Sequence, residues 1–120
     1  MRIAITSSGK DLSSEVDPRF GRAAYFIIVD PETMENEVVE NKQNLSLAQG
    51  AGIQAGKTIV DNKVDVVITG NCGPKAFRVL QSAKIKTITG VTGRIMDAIA
   101  RFKDGTLEET QQPNVEGHWV

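Results

Sequence analysis

Hydrophobic and polar positions change their period near Asn44, which separates a strand-rich first part of the chain from a second part that contains helices. Strands are predicted in the first part at Arg2–Ser7, Ala24–Val29 and Met34–Glu40. The first of these alternates, and the second is a continuous apolar run that is typical of a buried strand. The third mixes valine with glutamate, which favours a sheet edge, because charge there blocks aggregation between edges.

After Asn44, apolar residues recur at the three- and four-residue spacing of a helix. The inner face predicted for this first helix is Ala48, Ala51, Ala55 and Ile59. The small residue Gly56 favours close packing of this helix on the sheet. Two further apolar runs predict strands at Val64–Thr69 and Ile85–Thr89.

Two more helices are predicted from their start and stop residues. One begins at Gly73-Pro74, because proline in the first turn lacks only an N–H group that would be unpaired anyway. The other has Thr92 as its N-cap and ends at Gly105. The element order is therefore β-β-β-α-β-α-β-α, which predicts an α/β fold with a mixed sheet. Strand two is expected to be antiparallel to strand one, and the last units parallel with right-handed crossovers.

Composition and charge narrow the function classes. The chain has 120 residues, which suits one domain, and its 14 basic and 15 acidic residues nearly cancel. This balance provides no field to attract nucleic acid or an anionic membrane. The longest apolar run, Ala23–Val29, is far shorter than the ~20 residues of a membrane span, and no secretory segment is evident at the start. We therefore expect a cytoplasmic protein without a nucleic-acid or membrane partner.

The supply of soft metal ligands is small. Cys72 is the only cysteine and His118 the only histidine, so the chain cannot form an internal disulfide. It also cannot provide the four ligands of a structural zinc site or the four thiolates of a conventional iron–sulfur cluster. Any metal chemistry must use few protein ligands.

Three glycine-containing loops follow the strands that are expected to be parallel, namely Ser7–Gly9, Gly70–Pro74 and Gly90–Gly93. In open α/β sheets, ligands bind beyond the carboxyl ends of the strands, and N–H groups at the start of a helix favour anions. The alternative is that glycine-rich turns simply end these strands. The long polar segment from Lys10 to Arg22 lies between strands one and two and is predicted to be a loop.

Cys72 and two arginines are the side chains with the clearest chemical potential. A thiol near the start of a helix has a lowered pKa and is a better ligand for a soft metal, although a lone cysteine is also commonly a small buried apolar residue. Arg19 and Arg22 could face an anion from the long loop, or they could be solvated surface charges.

Several segments resemble one known family. The first strand leads into VDPRFGRA at residues 16–23, the centre of the chain contains DVVITGNCGPKAF at residues 65–77, and a further strand–helix segment covers Gly90 to Phe102, followed by Gly105 and Leu107. Together they are similar to the dinitrogenase iron–molybdenum cofactor biosynthesis family, which includes NifX-type carriers and the C-terminal domain of NifB. The resemblance covers residues 1–107.

This resemblance implies a ribonuclease H-like, three-layer α/β/α fold with a five-stranded mixed sheet. It also implies binding of iron–molybdenum cofactor or an iron–sulfur or molybdenum–sulfur precursor, with a cofactor-assembly protein as partner. The clustered cysteines of the radical domain of NifB are absent, so a non-catalytic carrier is expected. The alternative is a regulatory or interaction domain, or a small-anion binder, that has the same fold and binds no metal. No nuclease activity is expected, because the first strand has no carboxylate to hold a metal.

The loops and the resemblance together define the expected site and the expected domain. The predicted cofactor-binding residues are Ser8, Gly9, Arg19, Arg22, Asn71, Cys72, Gly73, Thr92 and Gly93, and Cys72 is the predicted metal ligand. Residues 1–107 are expected to form the cofactor-binding domain. Residues 108–120 are expected to be a flexible polar tail.

Overall fold

A computed structural model describes residues 1–41 and 50–115, and the elements in these ranges follow the expected order. The strands are β1 (Ile3–Ser7), β2 (Tyr25–Val29), β3 (Asn36–Glu40), β4 (Val66–Ile68) and β5 (Lys86–Ile88). The helices are α1 (Ala51–Asp61), α2 (Pro74–Ser82) and α3 (Ile95–Lys103).

The five strands form one mixed sheet in the order β3-β2-β1-β4-β5. Strand β1 is antiparallel to β2 and parallel to β4, so that Ile3 is paired with Val29 on one side and with Val66 on the other. Strands β4 and β5 are also parallel. This arrangement confirms the ribonuclease H-like sheet and the antiparallel second strand. The glutamate-bearing strand β3 lies at the sheet edge, as its charge predicts.

Helices cover both faces of the sheet, which gives the three layers expected. Alternate residues of β1 point to opposite faces, so Ala4 packs with α1 and α2 while Ile3 and Ile5 pack with α3. Each fully buried isoleucine stabilises the fold by roughly 1.5–3 kcal/mol relative to exposure. The two core clusters therefore fix which side of the sheet each helix occupies.

The inner face of α1 is buried at Ala51, Ala55 and Ile59, as predicted, while Ala48 lies outside the described residues. Gly56 has a different role from the one expected. A Cβ atom at this position would lie 2.8 Å from a methyl carbon of Val79 on α2. The glycine therefore permits close packing between the two helices rather than packing on the sheet.

The predicted N-cap at Thr92 is wrong, because α3 begins at Ile95 and Arg94 occupies the N-cap position without a side-chain hydrogen bond. The first N–H groups of the helix have other acceptors. Ile95 donates to the carbonyl of Ser14 and Met96 to that of Leu12, each at 2.9 Å. Both carbonyls belong to the connection between β1 and β2, whose residues 8–22 are here called the 8–22 loop. Carbonyls of this loop thus replace a capping side chain, a tertiary contact that local sequence cannot reveal.

The end of α3 agrees with the prediction. Gly105 has a φ of 76°, the left-handed conformation that glycine adopts readily after the last turn. The following residues were expected to lead into a mobile tail, yet Thr110 donates a backbone hydrogen bond of 2.7 Å to Thr87 of β5. The domain boundary at residue 107 and the flexibility of residues 108–120 stay predictions. Among the helices in the described ranges, none is long and apolar enough to cross a membrane.

Candidate functional site

Three loops meet at the carboxyl edge of the parallel strands, where the sequence predicted them. The long 8–22 loop contacts both of the others. The Val16 N–H donates to the Gly93 carbonyl at 2.8 Å, and the Phe20 N–H donates to the Asn71 carbonyl at 3.1 Å. The loop after β1 is therefore joined by hydrogen bonds to the loops after β4 and β5.

Apolar burial holds the 8–22 loop in place. Phe20 is fully buried, and the centroid of its ring lies 5.7 Å from that of Phe26 on β2. Val16 is also buried, in the core cluster on the α3 side of the sheet. A loop anchored in both core clusters is positioned by the same packing that stabilises the fold.

Cys72 is fully buried in the core cluster that also contains Phe20 and Phe77. Its thiol donates a long hydrogen bond to the Gly73 carbonyl, with 3.7 Å between the sulfur and the oxygen. Desolvation raises the pKa of the thiol from its ordinary value of 9.0 to about 12. The lowered pKa expected from the nearby helix is therefore wrong, because burial of the sulfur disfavours the charged thiolate, and the alternative of a small buried apolar residue agrees with the structure.

Two asparagines hold the backbone around Cys72. The Asn71 side chain donates to the Pro18 carbonyl at 2.8 Å, which ties the central loop to the 8–22 loop. The Asn114 side-chain oxygen accepts from the Cys72 N–H at 2.8 Å. Asn71 was among the predicted site residues, whereas Asn114 was missed, since nothing in the local sequence distinguishes it from other polar residues near the C-terminus.

The N–H groups that were expected to face an anion fall into two groups. The Ser8 N–H donates to the Glu15 carbonyl at 3.0 Å and the Gly9 N–H to the Ser7 hydroxyl at 3.2 Å, so both have protein acceptors. The N–H groups of Gly73, Thr92 and Gly93 have no acceptor among the residues the structure describes. Thr92 and Gly93 are exposed, whereas Gly73 is buried. Thr92 and Gly93 are therefore the residues of this group whose N–H groups are placed to donate to a ligand.

Both predicted arginines lie in the loop at this edge. Arg19 is exposed, and its backbone is bridged to that of Asn71. Arg22 is half-buried. The Lys10 ammonium nitrogen also belongs to this edge and lies 5.6 Å from the centroid of the Tyr25 ring.

Two further cations were missed. Lys75 and Arg94 are exposed, one in the first turn of α2 and the other at the N-cap of α3. The sequence signal that could have identified these two cations is the position of a basic residue next to a glycine-rich loop. Carboxylates are present as well. The pKa of exposed Asp11 is lowered, chiefly by a hydrogen bond from the Ser13 side chain, so this acid keeps its negative charge.

Within residues 1–41 and 50–115, no three side chains of histidine, cysteine, aspartate or glutamate are grouped closely enough to hold a bare metal ion. His118 lies outside these ranges. The arrangement at the carboxyl edge can instead donate hydrogen bonds to an anion and place positively charged side chains near it.

This fold and this edge define a small α/β domain with a candidate binding site beyond the parallel strands. The chain belongs to the dinitrogenase iron-molybdenum cofactor family, whose model matches residues 1–105. An uncharacterized protein of Methanocaldococcus jannaschii is 32% identical over 112 residues, which are 91% of each chain.

Two solved structures are similar over nearly their whole length. The apo form of the orange protein from Desulfovibrio gigas is 43% identical, with a TM-score of 0.93 over 95% of this chain and 96% of that one. A NifB-like protein from Thermotoga is 42% identical, with a TM-score of 0.82 over 97% and 98% of the two chains. The family and the fold are therefore established together.

Proposed function

We propose that this protein is a non-catalytic carrier for iron–molybdenum cofactor, its precursor or a related metal–sulfur cluster. The observation that carries the proposal is the joining of three loops at one sheet edge by the Val16–Gly93 and Phe20–Asn71 hydrogen bonds. Membership of a cofactor-assembly family supports the identity of the ligand. The solved structure of the orange protein is its apo form, and the word apo implies that this protein also has a form with a bound group.

A preformed cluster suits the ligand supply of this edge. Such a cluster already contains its bridging sulfides, so it needs few bonds from the protein. The N–H groups of exposed Thr92 and Gly93 would donate to sulfides, joined by that of buried Gly73 once its loop has moved, and Arg19 and Arg22 would balance the negative charge. Weak contacts of this kind favour a carrier, since a cluster held by four thiolates would be hard to transfer.

The proposed role of Cys72 as a metal ligand adds a structural requirement. The thiol is fully buried and has a raised pKa, so it must become exposed and lose its proton before it can bind metal. The contacts of the Thr92 and Gly93 N–H groups and of the arginines do not depend on this step. We therefore propose these contacts as the first docking interactions and Cys72 as a ligand only after its loop has moved.

The same burial favours the second candidate function. A regulatory or interaction domain, or a small-anion binder, would use the loop edge and keep Cys72 as a core residue. The two functions differ in whether molybdenum and iron bind in stoichiometric amount. For the carrier, we propose a cofactor-assembly protein as the partner that receives the cluster.

Arg19 provides the test of the proposed docking contacts. The protein would be titrated anaerobically with isolated iron–molybdenum cofactor, and bound molybdenum would be measured after gel filtration. Replacing Arg19→Glu should weaken binding by about tenfold, or ~1.4 kcal/mol, because an attractive charge becomes repulsive. The control is Lys86→Glu, which makes the same charge change at the start of β5, away from the carboxyl edge. Equal affinities for the two variants would refute the docking contacts.

A further inference from the structure

Residues 106–115, here called the strap, cross from the end of α3 to the carboxyl edge of the sheet. Leu107 packs against the core cluster on the α3 side. Thr110 then donates its N–H to the Thr87 carbonyl at 2.7 Å, and its hydroxyl accepts from the Thr89 N–H at 2.9 Å. The strap thus follows β5 toward the central loop of the candidate site.

Asn114 joins the strap to this loop by four hydrogen bonds. Its side-chain oxygen accepts from the Cys72 N–H at 2.8 Å, and its backbone N–H donates to the Cys72 carbonyl at 3.3 Å. Its side-chain nitrogen donates to the Gly70 carbonyl at 3.2 Å and to the Asn71 side-chain oxygen at 3.1 Å. One carboxamide and one N–H group therefore bind three consecutive residues.

These contacts occupy the backbone that precedes α2. The side-chain oxygen of Asn114 accepts a hydrogen bond from the Cys72 N–H group. The next N–H group along the chain is that of Gly73, which is proposed to meet the cluster. An acceptor oxygen from the protein therefore stands where an anionic ligand would find its next donor. The 8–22 loop holds the same segment from the other side through the Asn71–Pro18 hydrogen bond.

The strap has the composition of a segment that can detach. Most of its residues are exposed and polar, and Leu107 is its only member packed against a core cluster among the described residues. Segments that have few apolar contacts open at low cost compared with global unfolding. The loop around Cys72 is therefore joined to a segment that has few apolar contacts of its own.

We propose that the strap is a latch, in which Asn114 closes the 70–73 loop and controls access to it and to Cys72. In the closed form the Cys72 N–H is engaged by Asn114, and the loop is held in the position in which its thiol is buried among Phe20 and Phe77. Release of Asn114 opens the loop for a ligand. The identity of that ligand rests on the proposed function, whereas the closure itself does not.

The first test uses Cys72 as a reporter, because it is the only cysteine in the chain. The rate of alkylation by iodoacetamide would be measured in the native protein. Asn114→Ala should raise this rate by about tenfold or more, since it removes the three side-chain hydrogen bonds that hold the loop closed. The matched control is Gln112→Ala, an exposed position in the same strap, which should leave the rate unchanged.

A second control separates local opening from global unfolding. Ile27→Val removes one methylene group from β2, which β1 and β4 separate from the strand β5 that the strap follows, and lowers global stability. If Asn114→Ala alkylates no faster than the parent, or only as much faster as Ile27→Val does at equal stability, the latch is refuted.

Uptake of isolated iron–molybdenum cofactor distinguishes the latch from the proposed function. Asn114→Ala should load the cofactor several times faster than the parent. Slower or weaker loading by the variant would show that Asn114 shapes the site instead of closing it, which overturns the latch. If neither protein binds cofactor, the proposed function fails, and the alkylation rates alone decide whether the strap is a latch.

Discussion

The hydroxyl groups of Thr6 and Thr69 lie 2.8 Å apart in the interior, at the carboxyl ends of the neighbouring strands β1 and β4. The Thr6 hydroxyl also donates to the Asp17 carbonyl at 2.8 Å. A buried pair of side chains thus connects the ends of two strands to the long loop that joins the three parts of the candidate site.

Replacing Thr6→Val should lower the free energy of unfolding by about 1–3 kcal/mol, because it leaves the Thr69 hydroxyl and the Asp17 carbonyl without this buried partner. Urea denaturation measures the change. The control is Thr92→Val, which changes an exposed threonine and should have an effect within about 0.5 kcal/mol. Equal losses for the two variants would contradict the role assigned to the threonine pair.

Gly70 is required where the central loop passes the 8–22 loop. A Cβ atom at this position would lie 2.8 Å from the Pro18 Cα atom and 2.9 Å from its carbonyl oxygen, both of which belong to backbone. Gly70→Ala should therefore destabilise the protein by about 1–3 kcal/mol and separate the two loops. Amide exchange at the Phe20 N–H, which bonds to Asn71, reports that separation directly.

Gly90→Asn is the matched control for this substitution. Gly90 has a φ of 78° and open space where a Cβ atom would stand, and asparagine tolerates such a φ better than most residues. It should cost less than about 1 kcal/mol and leave the Phe20 amide protected. Rapid exchange at Phe20 in both glycine variants would mean that Gly70 is not specifically required.

Phe20 is predicted to be the main apolar anchor of the long loop. Phe20→Ala should lower stability by about 3–5 kcal/mol, since the side chain is fully buried against Phe26. Phe102, which packs at the margin of the other core cluster, is the comparison residue, and Phe102→Ala should cost less. Denaturation of both variants in urea measures the difference, and a smaller loss at position 20 would show that hydrogen bonds alone hold the loop.

The raised pKa of Cys72 predicts a specific dependence of stability on pH. A thiol that ionises near pH 9.0 when unfolded and near 12 when folded contributes stability that is complete below pH 9 and is lost as the pH rises toward 12. We expect Cys72→Ala to cost about 1–2 kcal/mol at pH 7.5, from the lost sulfur atom. This cost should shrink by about 1.4 kcal/mol at pH 10, because only the parent has a thiol that favours the unfolded state.

Unfolding in urea at the two pH values tests this expectation, and the difference between parent and variant cancels the titration of lysine and tyrosine. A cost that grows between pH 7.5 and pH 10 would instead show that the folded protein stabilises the thiolate, as the position of Cys72 before α2 predicts from sequence.

The sequence was sufficient to predict the helices and strands, because each one has its own hydrophobic period or a characteristic terminal residue. The alternation in β1, the apolar run of β2 and the glycine after α3 all have local causes, and each agrees with the structure. The convergence of the three loops also followed, since parallel strands bring their carboxyl ends to the same edge.

The errors arose where distant parts of the chain decide the outcome. The environment of Cys72 depends on Phe20 and Phe77, and the start of α3 depends on the carbonyls of Leu12 and Ser14. Local sequence contains the residue types but not these pairings, so it suggested a thiol with a lowered pKa and a threonine cap. The Asn114–Cys72 contact spans 42 positions and was missed for the same reason.

Metal content after anaerobic loading tests the central claim most directly. The purified protein would be incubated with isolated iron–molybdenum cofactor and separated from free cofactor by gel filtration. Molybdenum, iron and the visible absorption spectrum would then be measured in the protein fraction. A carrier predicts about one cofactor per chain and a visible absorption band that elutes with the protein. Protein that elutes colourless and without molybdenum or iron, while retaining its native fold, would contradict the carrier function and leave the metal-free binding domain as the better account.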